Sequence, residues 1–240
     1  MPVTRKPFAL LLLSAGFVGL PSIATQTWGG SLAATSDYLV RGISRSNHTA
    51  AVQGDVYVAL ESGFIGGASS SSVQVSPGEQ RNAELSAFLG FAWDGGSPWR
   101  TKILASHYSY PWNDAGAHYN YDELSIDAAY GGWLDFNVTY SPNAPRYLPS
   151  VGLIGVTATS AEINLRTPWR DRLAAATGVG YSRLTGPDGA GYAYWSAGAM
   201  YDVAPWSFSL SYVNTNSGGA YLYYSAAAHD RWVGTVIWRF

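Results

Sequence analysis

The chain has no cysteine among its 240 residues, so disulfides and thiolate metal sites are excluded, and stability must come from packing and backbone hydrogen bonding. Charge is scarce as well: Asp, Glu, Lys and Arg make up 12% of the residues, where a soluble domain usually carries about 25%. Long hydrophobic runs are also missing. The one apolar stretch, Phe8 to Leu20, is shorter than the roughly 20 residues a spanning helix needs, which excludes an α-helical membrane protein. No basic cluster points to nucleic acid. Nor is there a His-x-x-Glu-His motif, a Gly-rich phosphate loop or a paired-carboxylate motif, and His48, His118 and His229 are widely spaced. Metal, cofactor and catalytic chemistry therefore have no motif behind them.

What is present starts with a leader. Arg5 and Lys6 precede the apolar stretch and Pro21-Ser22-Ile23-Ala24 follows it, the pattern of a cleaved export signal. We expect residues 1–24 to be removed and 25–240 to form the mature unit; losing Arg5 and Lys6 takes the formal charge from −2 to −4. Aromatics are abundant at 15%, with ten Trp and seventeen Tyr, beside 27 Gly. Low charge with many Trp, Tyr and Gly fits a barrel whose outer face meets lipid and whose rims carry aromatic girdles.

Strand periodicity is clearest at Trp206-Ser-Phe208-Ser-Leu210-Ser-Tyr212 and at Leu134-Asp-Phe136-Asn-Val138-Thr-Tyr140, where apolar and polar residues alternate. The same reading predicts twelve strands, near 28–41, 50–61, 63–75, 82–94, 99–112, 119–131, 133–143, 158–168, 172–184, 192–203, 206–216 and 230–240. Tight connections such as Glu61 to Gly63, Gly131-Gly132 and Ala204-Pro205 alternate with mostly longer ones, around 42–49, 76–81, 113–118, 144–157, 185–191 and 217–229. Short periplasmic turns alternating with longer extracellular loops define an all-β, antiparallel up-and-down transmembrane barrel of the bacterial outer membrane. Tryptophan position agrees: Trp28, Trp93, Trp99, Trp133, Trp169, Trp206 and Trp238 cluster near the proposed periplasmic end, where indole prefers the interface. The last strand carries Trp232, Val236, Trp238 and terminal Phe240 on one face. Alternate apolar residues ending in Phe resemble the signal read by the outer-membrane assembly machinery, and they equally suit a strand that closes the barrel.

The stretches Ser36-Asp37-Tyr38-Leu39-Val40-Arg41-Gly42-Ile43-Ser44, Ala51-Val52-Gln53-Gly54, Glu61-Ser62-Gly63-Phe64-Ile65-Gly66, Tyr108-Ser109-Tyr110-Pro111, Tyr121-Asp122-Glu123-Leu124 and Tyr140-Ser141-Pro142-Asn143 resemble the TorF family of porin-like proteins, also known as the Gcw_chp family of proteobacterial outer-membrane proteins. The resemblance covers nearly the whole mature chain. Val40 departs from the aromatic residue often found before Arg-Gly, and Gly67-Ala68-Ser69-Ser70 lacks a usual Trp and Asn. The resemblance implies a porin-like role without specifying a solute.

With the large apolar residues toward lipid, the opposite parity collects Asp37, Arg41, Asp55, Glu61, Glu84, Arg100, Lys102, Glu123, Asp127, Asp135, Glu162, Arg166, Arg183, Asp202, Arg231 and Arg239. Among these, Asp37, Arg41, Asp55, Glu84, Glu123, Asp127, Glu162, Arg166 and Arg183 are the candidate lumen or constriction residues. An arrangement of Arg41, Arg166 and Arg183 opposite Asp37, Glu123 and Glu162 would give a transverse field that orients polar solutes; the same charges paired with one another would instead hold strand register. Tyr108, Tyr110 and Tyr121 would line a solute slot or join a girdle. The expected function is a diffusion channel for small polar solutes or ions, with lipid, lipopolysaccharide and the assembly machinery as partners and no cofactor. The alternatives are a closed barrel with a binding or structural role, and an outer-membrane acyl hydrolase using His107 and Ser109, which share a strand face.

Overall fold

In the computed structural model the described residues are 27–74, 81–94, 98–112, 119–148, 152–186, 189–223 and 225–240. The expected leader, and parts of several expected loops, lie outside them. Twelve strands close into one antiparallel barrel: β1 (Thr27–Thr35), β4 (Ala51–Ala59), β5 (Phe64–Val73), β6 (Asn82–Asp94), β7 (Trp99–Ser109), β8 (Tyr121–Tyr130), β9 (Leu134–Leu148), β10 (Gly152–Arg170), β11 (Leu173–Leu184), β12 (Ala190–Val203), β13 (Trp206–Thr215) and β14 (Arg231–Arg239). Two short strands, β2 (Leu39–Val40) and β3 (Ile43–Ser44), form a separate hairpin. A one-and-a-half-turn helix, α1 (Ser217–Leu222), and a 3-10 turn at Ser225–Ala228 precede β14.

Closure removes every sheet edge, which a spanning sheet requires because lipid offers no partner to a bare N–H or C=O. The seam joins β1 to β14, from Ser31 opposite Arg239 to Thr35 opposite Thr235. Terminal Phe240 completes it, exchanging two backbone hydrogen bonds of 3.1 Å with Gly30. Strand alternation then sorts side chains by parity. Leu89, Ile126, Val138, Ile163, Leu210 and Val236 point outward and exposed, and all ten Trp are among the exposed residues. Between the two rims, the outward positions of the described strands carry no Asp, Glu, Lys or Arg. That distribution is what a lipid belt demands, since a cationic side chain at the midplane costs about 2–4 kcal/mol. The chain is thus a transmembrane barrel of the bacterial outer-membrane type.

Two expectations are corrected. The first strand ends at Thr35, not near residue 41, because the chain turns inward at Ser36 and builds the β2–β3 hairpin. The supposed loop at 144–157 is largely strand, as β9 and β10 run on past the barrel wall to Leu148 and Gly152. Pro142 and Asn143 are accommodated by a bulge there, with Ser141 opposite Ala158 but Ala144 opposite Val156. A proline without an N–H is tolerated at such an irregularity. The bulge also switches parity, so that Ser141 and then Arg146 and Leu148 are the buried positions. The long connection at 217–229 holds the helix and the 3-10 turn.

Candidate functional site

The barrel interior divides into two halves along its axis. In the half toward the long loops, the hairpin lies inside the lumen. Its entry is fixed by short polar side chains: Thr35 Oγ1 donates to the Asp37 carbonyl at 2.9 Å, and the Tyr38 N–H donates to Ser46 Oγ at 2.9 Å. The Asp37 carboxylate then gathers the segment, accepting from Ser44 Oγ at 2.6 Å and Ser46 Oγ at 2.8 Å on one oxygen, and from Arg231 Nη1 at 2.7 Å on the other. Arg231 also donates to the carbonyls of Ala227 and His229 and meets His48 Nδ1 at 2.9 Å. One guanidinium therefore ties β14, the hairpin and the last loop together.

The hairpin turns through Arg41 and Gly42, both with positive φ, 53° and 76°. Two consecutive left-handed residues make the tight turn whose twist suits a two-residue hairpin, and glycine is favoured at the second position. Space imposes the same choice: a Cβ on Gly42 would lie 2.7 Å from Tyr194 Cβ. At this tip Arg41 forms a largely buried ion pair with Glu123 on β8, and the Gly42 carbonyl accepts from Thr215 Oγ1 at 2.9 Å. Tyr38 donates to Glu84 Oε1 at 2.9 Å, and Tyr110 donates to Glu84 Oε2. Apolar contacts complete the seal. Tyr38 and Val40 pack with Val73, Tyr108, Tyr110 and Tyr121, while Ile43 packs beneath Leu184, Tyr192, Leu222 and Ala228. At the exposed rim, the Tyr212 hydroxyl holds the Asp230 carboxyl below its usual range.

The half toward the short turns is lined largely by polar and small residues, with an apolar cluster of Ala59, Ile65, Phe88, Ala92 and Leu104, and Tyr57 against it, on β4 to β7. Lys102 faces Asp127 at 3.7 Å, and Asn137 donates to Asp127 at 2.8 Å. Glu162 accepts from Asn164 and from Tyr194, both at 2.7 Å. Tyr194 reaches it by lying across Gly180, where a Cβ would come within 2.2 Å of the ring. Nearer the end, Arg166 pairs with Asp202, Ser207 bonds to Asp202, and Arg239 donates to Ser207 at 2.6 Å. Ser31 bonds to Asp55, whose second oxygen has no described hydrogen bond.

Of the expected lumen residues, Asp37, Arg41, Asp55, Glu84, Glu123, Asp127, Glu162 and Arg166 all face the interior. Arg183 does not. It shares odd parity with Val179 and Tyr181, which point outward, and it is exposed on the outer surface near the long-loop end of β11. Glu61 lies exposed in the turn between β4 and β5. Among the rest, Arg41 is paired with Glu123, Arg166 with Asp202 and Asp37 with Arg231. Tyr108, Tyr110 and Tyr121 are interior residues, not girdle ones. The roles of Ser44, Ser46, Arg45, Tyr38 and Tyr194 escape sequence reading; the available signal was Arg-Gly between two short apolar pairs, a tight-turn dipeptide inside what otherwise reads as continuous strand.

His107 and Ser109 share the outward face of β7 at the long-loop rim. His107 Nδ1 lies 2.8 Å from Asp122 Oδ1, and Asn143 donates to the other Asp122 oxygen at 3.0 Å.

No curated protein matches the chain. Among solved structures, the KdgM porin in complex with disordered oligogalacturonate is 10% identical, with 89% of this chain aligned to 99% of that one at a TM-score of 0.52. The NanC porin is 9% identical, covering 88% of this chain and 98% of that one, also at 0.52. A structure from work on in-meso crystallization of membrane proteins is 8% identical, covering 89% and 83%, at 0.55. These likenesses concern the fold. The family model described as a bacterial protein of unknown function (Gcw_chp) matches residues 22–239, and with the barrel it accompanies, this places the chain in the Gcw_chp family.

Proposed function

We propose that the protein is an outer-membrane channel for small polar solutes or ions, held shut in this arrangement by the β2–β3 hairpin. The observation that carries this reading is the interior of the short-turn half. There Ser31, Asp55, Lys102, Asp127, Asn137, Glu162, Asn164 and Arg166 face inward, the polar interior of an outer-membrane barrel, beside an apolar cluster of Ile65, Phe88, Ala92 and Leu104. Twelve strands enclose more room than the filled eight-stranded barrels and less than open sixteen-stranded porins. The porin fold of KdgM and NanC supports the same reading.

The export signal over residues 1–24 and assembly through the terminal strand, with Trp238 and Phe240 as its outward face, belong to this proposal, as do lipid and lipopolysaccharide contacts on the belt. The test is single-channel recording of the refolded mature chain in a planar bilayer, with empty refolding buffer as control. We expect discrete, infrequent openings. A folded, heat-modifiable protein that stays silent even after the hairpin is loosened would instead favour a closed barrel with a structural role, to which the dense ion pairing of the long-loop half is suited.

A further inference from the structure

The hairpin occupies a recess whose chemistry belongs to the wall. Glu84 on β6 and Glu123 on β8 stand there buried, surrounded by Tyr108, Tyr110 and Tyr121. Tyr108 and Tyr121 are stacked, with ring centroids 4.5 Å apart and planes 9° from parallel. The partners of these carboxylates come largely from the hairpin segment. Arg41 brings a guanidinium to Glu123, and Tyr38 brings a phenol hydroxyl to Glu84 at 2.9 Å. Arg45, from the same segment, lies within electrostatic reach of Glu84, Tyr110 and Tyr121. Among the wall's own cations in this half, Arg231 is engaged with Asp37 and with the Ala227 and His229 carbonyls, and Arg146 sits at the rim against Gly186.

With the hairpin withdrawn, Asp37 leaves with it and Arg231 keeps its Ala227 and His229 carbonyl contacts, while Glu84 and Glu123 stand in an aromatic, low-dielectric recess without Arg41 and Arg45. Such a setting strongly favours a hydrogen-bonding cation, through charge-assisted bonds to the carboxylates and attraction to the tyrosine faces. The hairpin therefore behaves as a built-in ligand. Resting on the channel reading above, we propose that this recess binds small cationic solutes, which present a guanidinium or primary ammonium to Glu123 and a hydroxyl or aromatic group to Glu84, and which enter by displacing Arg41.

A tethered occupant competes with free solute at an effective concentration set by its tether, in the millimolar range for short segments. Removing the Arg41 side chain should thus expose the site. Arg41→Gly is suited to this, since glycine accepts the φ of 53° and preserves the turn; Arg41→Asn, also tolerant of that conformation, is the second variant should the first not refold. The full mature chain in detergent micelles is titrated with ethylguanidinium chloride by isothermal calorimetry. We expect Arg41→Gly to bind about tenfold tighter than the unsubstituted protein or better, and expect the gain to vanish when Glu123→Gln is added. Equal binding with and without the Arg41 side chain, or a gain that survives Glu123→Gln, overturns the proposal. Planar-bilayer currents of the same proteins separate it from the channel reading. A barrel that binds with this Glu123 dependence yet passes no current keeps the recess and sinks the channel, whereas current without such binding does the reverse.

Discussion

The two halves of the lumen solve the same problem, polar groups inside a membrane barrel, in opposite ways. In the long-loop half the charges are bound across elements: Asp37 and Arg41 of the hairpin reach Arg231 and Glu123 on strands far apart around the wall, beneath a cover of tyrosine, Leu and Ala. In the short-turn half the pairs run between barrel strands, as with Lys102 and Asp127 on adjacent β7 and β8, and small Ser and Gly positions leave the wall itself in charge of the interior. The difference locates the barrier. Pairs within the wall hold strands that the ladder already holds, so they stabilise without closing anything. In the channel proposed above, the pairs between hairpin and wall are the ones that break for the passage to open.

The sharpest way to break this comparison is to remove one partner at the hairpin tip. Glu123→Ala leaves the Arg41 guanidinium buried without its carboxylate, and loss of one member of a buried pair typically costs about 3–5 kcal/mol. The ladder does not depend on Glu123, so the penalty falls on the hairpin's inward position. We expect at least a tenfold rise in open probability in planar bilayers, about 1.4 kcal/mol of that penalty, with heat-modifiable folding retained. Unchanged gating would place the barrier somewhere other than the hairpin.

A smaller and different effect is expected in the other half. Asp127→Asn keeps the shape and the Asn137 contact but removes a charge from the wall beside Lys102. Lys102 then faces the passage with less compensation, so the reversal potential in a salt gradient should move toward anion preference by several millivolts while open probability stays the same. A change in gating without a change in selectivity would reverse the roles assigned to the two halves.

How much of this was legible beforehand follows from periodicity. Alternation with period two is local, so it marked the twelve strands, the outward belt and the inward parity of Asp55, Asp127, Glu162 and Arg166 without any tertiary information. The hairpin was not legible in that way. Tyr38-Leu39-Val40 continues the β pattern of the strand before it, and what bends the chain inward is the convergence of Ser44, Ser46 and the distant Arg231 on Asp37. Nor does a list of inward charges reveal their pairing, because partners such as Arg166 and Asp202 stand on strands that neighbour β11 on either side. The expected strand stopped at 143, where Pro142 and Asn143 interrupt the ladder, but a bulge absorbs the interruption and the strands continue through Pro145.

The smallest expected effect is the most discriminating for parity. Arg166 and Arg183 are both arginines on strands of the same wall, and counting charges alone treats them alike. Arg166 faces inward against Asp202, whereas Arg183 lies on the outer surface with Val179 and Tyr181. At the rim its charge can stay hydrated among lipid headgroups, which is why it avoids the penalty a midplane arginine would carry. Arg166→Ala should therefore shift ion selectivity, by leaving Asp202 uncompensated inside the passage, while Arg183→Ala should leave conductance and selectivity within error of the unsubstituted channel. A selectivity change in Arg183→Ala comparable to that of Arg166→Ala would mean that β11 presents its odd residues to the lumen. Because a one-residue slip exchanges the faces of an entire strand, that result would require Gly180 to point outward and the Tyr194 to Glu162 bond laid across it to be lost.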